Sequence, residues 1–367
     1  MTRTLVIGGT GAMGSRVVAK LLADTDDEVA VLTRDPTSQR AAALGPVRLL
    51  HGDANDPGSI QAALNGVSRV FCNTDFFSAK SPLAEFAHGV RLLEAARHHG
   101  VDRFVWSSLD SAATRTAGRV LVPHYEAKAA VAAHIQLHRS EEMMRHEPDG
   151  WYSEHVSVLV TSPYFENLQS RLSPAASDQG VVFTLPLGTS RYPMIGLDDI
   201  AWFAVHALEN WQSWGARDLA VVAESLTGDE IAAAFERVTG VPARYRELSL
   251  EALQASVPEV GHDYAGMFGF FQQHDVAGED RDIAFLRTLH PGLMTFEDWL
   301  RRTGWDGGRR VVQQFNPLRG GGAGSENGTA AEVSLDRRPV SSGVFNQGIP
   351  GHNIALITRC GTVQPCR

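Results

Sequence analysis

Cysteine is scarce: Cys72, Cys360 and Cys366 are the three in a chain of 367 residues. So few thiols exclude a disulfide framework and point to a reducing compartment, the cytoplasm. No Cys/His cluster has zinc-site spacing, and His98–His99 reads as a solvated helix end. Basic residues do not predominate either. Against 42 Asp and Glu stand 33 Lys and Arg, and the net charge of −9 gives no reason to expect direct binding to nucleic acid. No run of about eighteen apolar residues occurs, so no membrane span is expected. The N-terminus enters a strand at once, which leaves no room for a secretory signal. With 43% hydrophobic and 20% charged residues, the chain can bury a substantial core.

Glycine is abundant where it matters most. The opening MTRTLVIGGTGAMG sets a β-branched strand, Thr4 to Ile7, directly before Gly8, Gly9, Gly11 and Gly14. SRVVAKLLA follows with helical spacing. Strand, glycine turn and helix make a dinucleotide-binding crevice. Gly8 permits the tight turn, Gly11 lets backbone approach a pyrophosphate, and Gly14 lets the helix pack on the strand. The spacing is G-x-x-G-x-x-G, a glycine pattern that ordinary βα turns also use.

Further strands alternate with helices, the rhythm of an α/β, Rossmann-type doubly wound parallel sheet. Ligands bind outside the carboxyl ends of such strands. Gly11, Arg34, Asp53, Thr74 and Ser107 all fall there. Arg34, at the tip of the second strand, suits a ribose 2′-phosphate and favours NADP over NAD, with Asp35 next door as a counterweight. VPHYEAKAAV, residues 122–131, opens a helix on which His124 and Lys128 share a face, with Tyr125 beside Lys128.

Together, Gly8–Gly14, Arg34, Asp53 and PHYEAK resemble the NmrA-like branch of the atypical short-chain dehydrogenase/reductases. SVLVTSPYFENL, MIGLDDIAWFAVHALEN and MTFEDWLRRTGW extend the resemblance to about Asp306. The resemblance implies NADP(H) binding. Gly8, Thr10, Gly11, Ala12, Met13 and Gly14 would hold the pyrophosphate and Arg34 the 2′-phosphate. Asp53 would lie by the adenine, Thr74 on the nicotinamide side, and Ser107 among the cofactor contacts. Tyr164 and Asn167 would border nicotinamide and substrate. Lys128 would orient the ribose and take part in catalysis. Ordinary short-chain dehydrogenases place a tyrosine four residues before this lysine; here that residue is His124, and Tyr125 is one out of register. Either could deliver a proton.

Residues 1–161 read as the Rossmann domain, with an insertion at about 138–154 that suits a lid or a surface loop. Residues 162–306 read as a smaller, mostly helical cap, and 307–367 as a disordered or loosely attached tail. Phe and Met at helical spacing in 263–276 suit core or an apolar substrate wall. The expected activity is NADPH-dependent reduction of a small hydrophobic carbonyl, quinone or enone, by a cytoplasmic protein with a possible homodimer or protein partner. The alternative is a non-catalytic NADP(H)-binding redox sensor or co-regulator, which would extend its location to the nucleus.

Overall fold

The computed structural model describes residues 2–310 except 148, 149, 215 and 258; the expected tail lies outside them beyond Arg310. Its strands are β1 (Arg3–Ile7), β2 (Glu28–Thr33), β3 (Arg48–His51), β4 (Arg69–Cys72), β5 (Arg103–Ser108), β6 (Val156–Val160), β7 (Ala175–Ser177), β8 (Gly180–Leu185), β9 (Tyr192–Met194), β10 (Leu219–Ala220), β11 (Glu224–Leu226) and β12 (Ala243–Glu247). Among the described residues, seven pair into one sheet in the order β10-β6-β5-β4-β1-β2-β3, and every pairing in it is parallel. The strand order reverses between β1 and β4, which opens the crevice at that point.

Both faces of the sheet are buried at its central strands β1, β2, β4, β5 and β6, which read as largely apolar runs. Register places Leu5, Val70, Phe104 and Val156 side by side on one face, under the helices Pro57–Leu64, Pro82–His98 and Pro123–Met144. The neighbours Val6, Phe71 and Val105 turn to the other face, where the helices Ala12–Asp24 and Leu197–Glu209 pack together. The period of two along each strand thus feeds two separate cores.

The chain beyond Thr161 serves two places. β10 returns to the sheet beside β6, and the helix Leu197–Glu209 joins one of its layers. The rest builds a second lobe around β12-β8-β7, β9-β11 and short helices. Two of those helices start with a complete capping box, Thr227/Glu230 and Thr295/Asp298. Phe268, Phe270 and Phe271 are buried core.

The segment 138–154 departs from expectation. Its first part continues the long helix to Met144, and Trp151–His155 forms a short helix. Trp151 Nε1 donates to Val101 O, just before β5, so the segment packs at the amino end of the strands. The Glu142 carboxylate accepts from Tyr152 N and Ser153 N, which explains why a polar stretch folds tightly there. A lid over the carboxyl ends is excluded by that position.

Candidate active site

The glycine turn is shaped for close approach. Gly8 has φ +80°, and a Cβ there would stand 2.3 Å from Asn73 O; one on Gly14 would stand 2.2 Å from Gly8 O. Only glycine fits at either. Gly11 N donates to Gly8 O, and the helix Ala12–Asp24 starts with no side-chain cap, leaving its first N–H groups for an anion. Thr10 and Ala12 are half-buried at the loop surface, while Met13 is buried with Ser107 Oγ 3.5 Å from its sulfur. Ser107 and the Met13 side chain therefore support the loop from below.

Arg34 is exposed at the end of β2, and no ion pair or hydrogen bond holds it among the described residues. Asp35 does not compete with a phosphate for it. Its Oδ1 accepts from Thr37 Oγ1 (2.6 Å) and Thr37 N (2.9 Å), and these bonds hold its carboxyl below the usual range. Asp53 lies two residues past β3, in a turn where its Oδ1 accepts from Asn55 N and Nδ2. An anionic dinucleotide with a 2′-phosphate fits this set: open N–H groups, a cradle without Cβ atoms and an unpaired guanidinium.

Lys128 is the hub of the next group. It is 8% exposed, and its Nζ donates to Thr74 O (2.8 Å), Thr74 Oγ1 (3.0 Å) and, at 3.3 Å, Asn73 Oδ1. Glu85 Oε1 lies 3.0 Å from Nζ and accepts from Thr74 Oγ1, while Glu85 Oε2 is buried without a partner. Trp106 Nε1 and Ser108 Oγ both donate to the Lys128 carbonyl. The lysine is thereby bound to the ends of β4 and β5 through both its head and its main chain. Burial pushes the nearby Cys72 thiol up to about 12, which keeps it protonated and inert.

One turn earlier, His124 is held by a residue from the far lobe. Asp263, 1% exposed on the helix Gly261–Gln273, accepts from His124 N through Oδ1 (3.0 Å) and places Oδ2 2.5 Å from His124 Nδ1. The imidazole also touches Phe76 and Phe77, directly beyond β4, and Phe77 stacks on Tyr264 at 5.9 Å with the Arg171 guanidinium over both rings. Tyr125 points elsewhere. It is 2% exposed against Phe270 and Phe271, and burial raises its phenol well above the ordinary value. The structure brings Thr74, Lys128 and His124 together and leaves Tyr125 in the core.

The segment around Tyr164 is divided. Tyr164 and Asn167 are half-buried, but Phe165 and Glu166 between them, and Leu168 just beyond, turn inward. The Glu166 carboxylate accepts from Leu197 N and from Trp299 Nε1. It thus caps the helix Leu197–Glu209 and ties three distant segments. Burial pushes its carboxyl up to about 7, against a lowering by Arg16.

A separate hollow of about 550 Å³ opens at the amino end of the sheet, between Thr2, Arg69, Arg103 and Trp211. Its Arg69 is already paired with Asp27 and Glu209, and none of the candidate site residues lines it.

Comparison with known proteins agrees with this geometry. An NmrA-like family domain-containing oxidoreductase of Aspergillus hancockii is 29% identical over 284 residues, covering 74% of this chain and 83% of the relative. An NAD(P)H azoreductase of Xenophilus azovorans is 27% identical over 257 residues, covering 70% and 81%. Two solved structures share the fold at 19% identity. NmrA, a negative transcriptional regulator in complex with NADP, has a TM-score of 0.64 and covers 82% of this chain and 94% of its own. The Citrobacter sp. triphenylmethane reductase complexed with NADP(H) has a TM-score of 0.63, with 80% and 98% covered. The sequence model of the NmrA-like family matches residues 1–300, and the chain belongs to that family, with its Rossmann fold.

Proposed function

We propose that this protein is an NADPH-dependent reductase of a small, planar, hydrophobic acceptor, a quinone, enone or conjugated carbonyl. The observation that carries this reading is the His124–Asp263 pair, a proton-bearing group held at the carboxyl end of β4 beside Lys128. A protein that only binds a nucleotide needs no oriented imidazole there. The cofactor would be held by the Gly8–Gly14 loop, with Arg34 at its 2′-phosphate, and reduced nicotinamide supplies a hydride when bound.

The chain's own residues supply the rest. Asp263 holds the start of the His124 helix through His124 N and sets its second carboxylate oxygen against Nδ1, which leaves Nε2 to deliver the proton to the reduced acceptor. Lys128 holds Thr74 and Asn73 in place and contributes positive charge where an oxyanion develops. Phe77 and Tyr264 add aromatic surface beside His124 for an apolar acceptor, and an NAD(P)H azoreductase is among the relatives named above.

The test is NADPH consumption by the purified protein with a panel of quinones and enones. At least one should accelerate the loss of nicotinamide absorbance. Arg34→Ala should weaken NADPH by about 10- to 150-fold, the worth of one charge-assisted hydrogen bond of ~1.5–3 kcal/mol, and leave NADH nearly unchanged. NADPH binding without consumption by any acceptor would favour the regulator, the use represented by NmrA. Equal loss of NADPH and NADH would remove Arg34 from the cofactor site.

A further inference from the structure

Away from the crevice, the helices Pro82–His98 and Pro123–Met144 pack side by side against the sheet. His134 and His138, one turn apart on the second, share a face directed at the first. There they meet Glu94. One ligand-type atom from each of these three residues lies within 4.8 Å of the other two. His134 lies ten residues beyond His124, about 15 Å further along the helix axis, so the cluster is separate from the catalytic group.

Three observations point to a ligand. His134 Nε2 is buried and has no hydrogen-bond partner, which is unusual for a polar atom in a folded interior. Glu94 is oriented from behind, because Tyr152 Oη donates to its Oε1 at 2.6 Å. The His138 ring is fixed as well, stacked on Tyr152 at 4.2 Å with 10° between the planes. A carboxylate and an imidazole steadied by outer groups are the usual surroundings of a bound metal. Tyr152 is completely buried and comes from the segment 138–154, so the insertion gains a purpose: it backs this cluster.

We propose that Glu94, His134 and His138 bind a divalent transition cation, with zinc the best match to two imidazoles and one carboxylate. Tetrahedral bonds of about 2.0–2.1 Å set ligand atoms ~3.3–3.4 Å apart, so binding draws the three groups together by rotamer adjustment. A fourth position remains for water or an added ligand. The ion links the two helices and, through Tyr152, the short helix Trp151–His155. The sequence hid the site because its third ligand lies forty residues earlier, on another helix.

The experiment uses the full chain without a histidine tag, stripped with chelator and titrated with Zn²⁺ by calorimetry and with Co²⁺ by visible absorption. One equivalent should bind, the melting temperature should rise, and Co²⁺ should show the intense bands of a four-coordinate site. His138→Ala and Glu94→Gln should each weaken binding by about tenfold or more, and His99→Ala should leave it unchanged. Glu94 is exposed, so its variant keeps the test valid even where a histidine variant folds poorly. Absence of stoichiometric binding overturns the proposal, as does binding that survives both His138→Ala and Glu94→Gln at parental strength.

Discussion

Two segments carry the candidate site residues, Pro123–Lys128 and Tyr164–Asn167, and they use buried carboxylates differently. Beside the first, Glu85 and Asp263 each face a side-chain nitrogen group, the Lys128 ammonium and the His124 imidazole. In the second, Glu166 collects main-chain and indole N–H groups, with the Arg16 guanidinium acting on it as a nearby charge. Burial is nearly the same, at 3%, 1% and 6% exposure. Partner identity separates them. A carboxylate that orients a base next to an open crevice supports proton transfer, whereas one that collects N–H donors from three segments fastens a scaffold. Changes in the first group should therefore strike turnover, and changes in the second should strike stability.

Lys128→Met should show the largest effect. Turnover should fall by about 10²–10³-fold, the scale of losing one charge at a developing oxyanion. Stability should fall too, by about 3–5 kcal/mol, because Glu85 is left buried beside Thr74 without its cation. Adding Glu85→Gln separates the two effects: melting should recover substantially while turnover stays low. Recovery of turnover in the double variant would reduce Lys128 to a structural counter-ion.

Asp263→Asn should be milder. Asparagine still accepts from His124 N, so the helix start keeps its cap. The ring loses its facing charge, and kcat should drop by about 10- to 100-fold, with NADPH affinity unchanged. A fall in stability with kcat unaltered would make Asp263 a cap and nothing more.

These contrasts explain what the sequence could reveal. The parallel sheet, the glycine turn, Arg34 and the helix carrying Lys128 rest on local pattern, and the structure places each as the pattern suggests. Glu85 and Asp263 were missed because their partners lie 43 and 139 residues away in sequence, to Lys128 and His124. A local signal exists for both. Glu85 stands at i before Gly89, Leu92 and Leu93, and Asp263 before Met267, Phe270 and Phe271, so each carboxylate occupies an apolar stripe. An acid on such a stripe is buried and must find a partner. Tyr125 illustrates the reverse: one residue from His124, the helix turns its phenol about 100° away, into the core. His134 and His138 share a face by their spacing alone, and only the approach of Glu94 needed the third dimension.

Glu166→Gln should have the smallest effect on turnover and a specific one on stability. Burial lifts the folded-state value to about 7, above the ~4.3 expected once the chain unfolds. Between these values the folded protein binds the proton more tightly than the unfolded chain does. Stability conferred by Glu166 is therefore intact below about pH 4, declines as pH rises through that window, and levels off above about 7. The full swing is at most ~3–4 kcal/mol, since each unit of difference is worth about 1.36. Glutamine keeps the shape and stays neutral, so its stability should not follow this decline. Denaturant unfolding at pH 5 and pH 8 should bring parent and variant close at the acid end and leave the variant ahead at the alkaline end. Equal slopes would mean that Glu166 is ionised in the folded protein and that its N–H donors outweigh burial. A large loss of turnover in a well-folded variant would erase the distinction between the two segments, and Glu166 would then belong with Asp263 in the proton path.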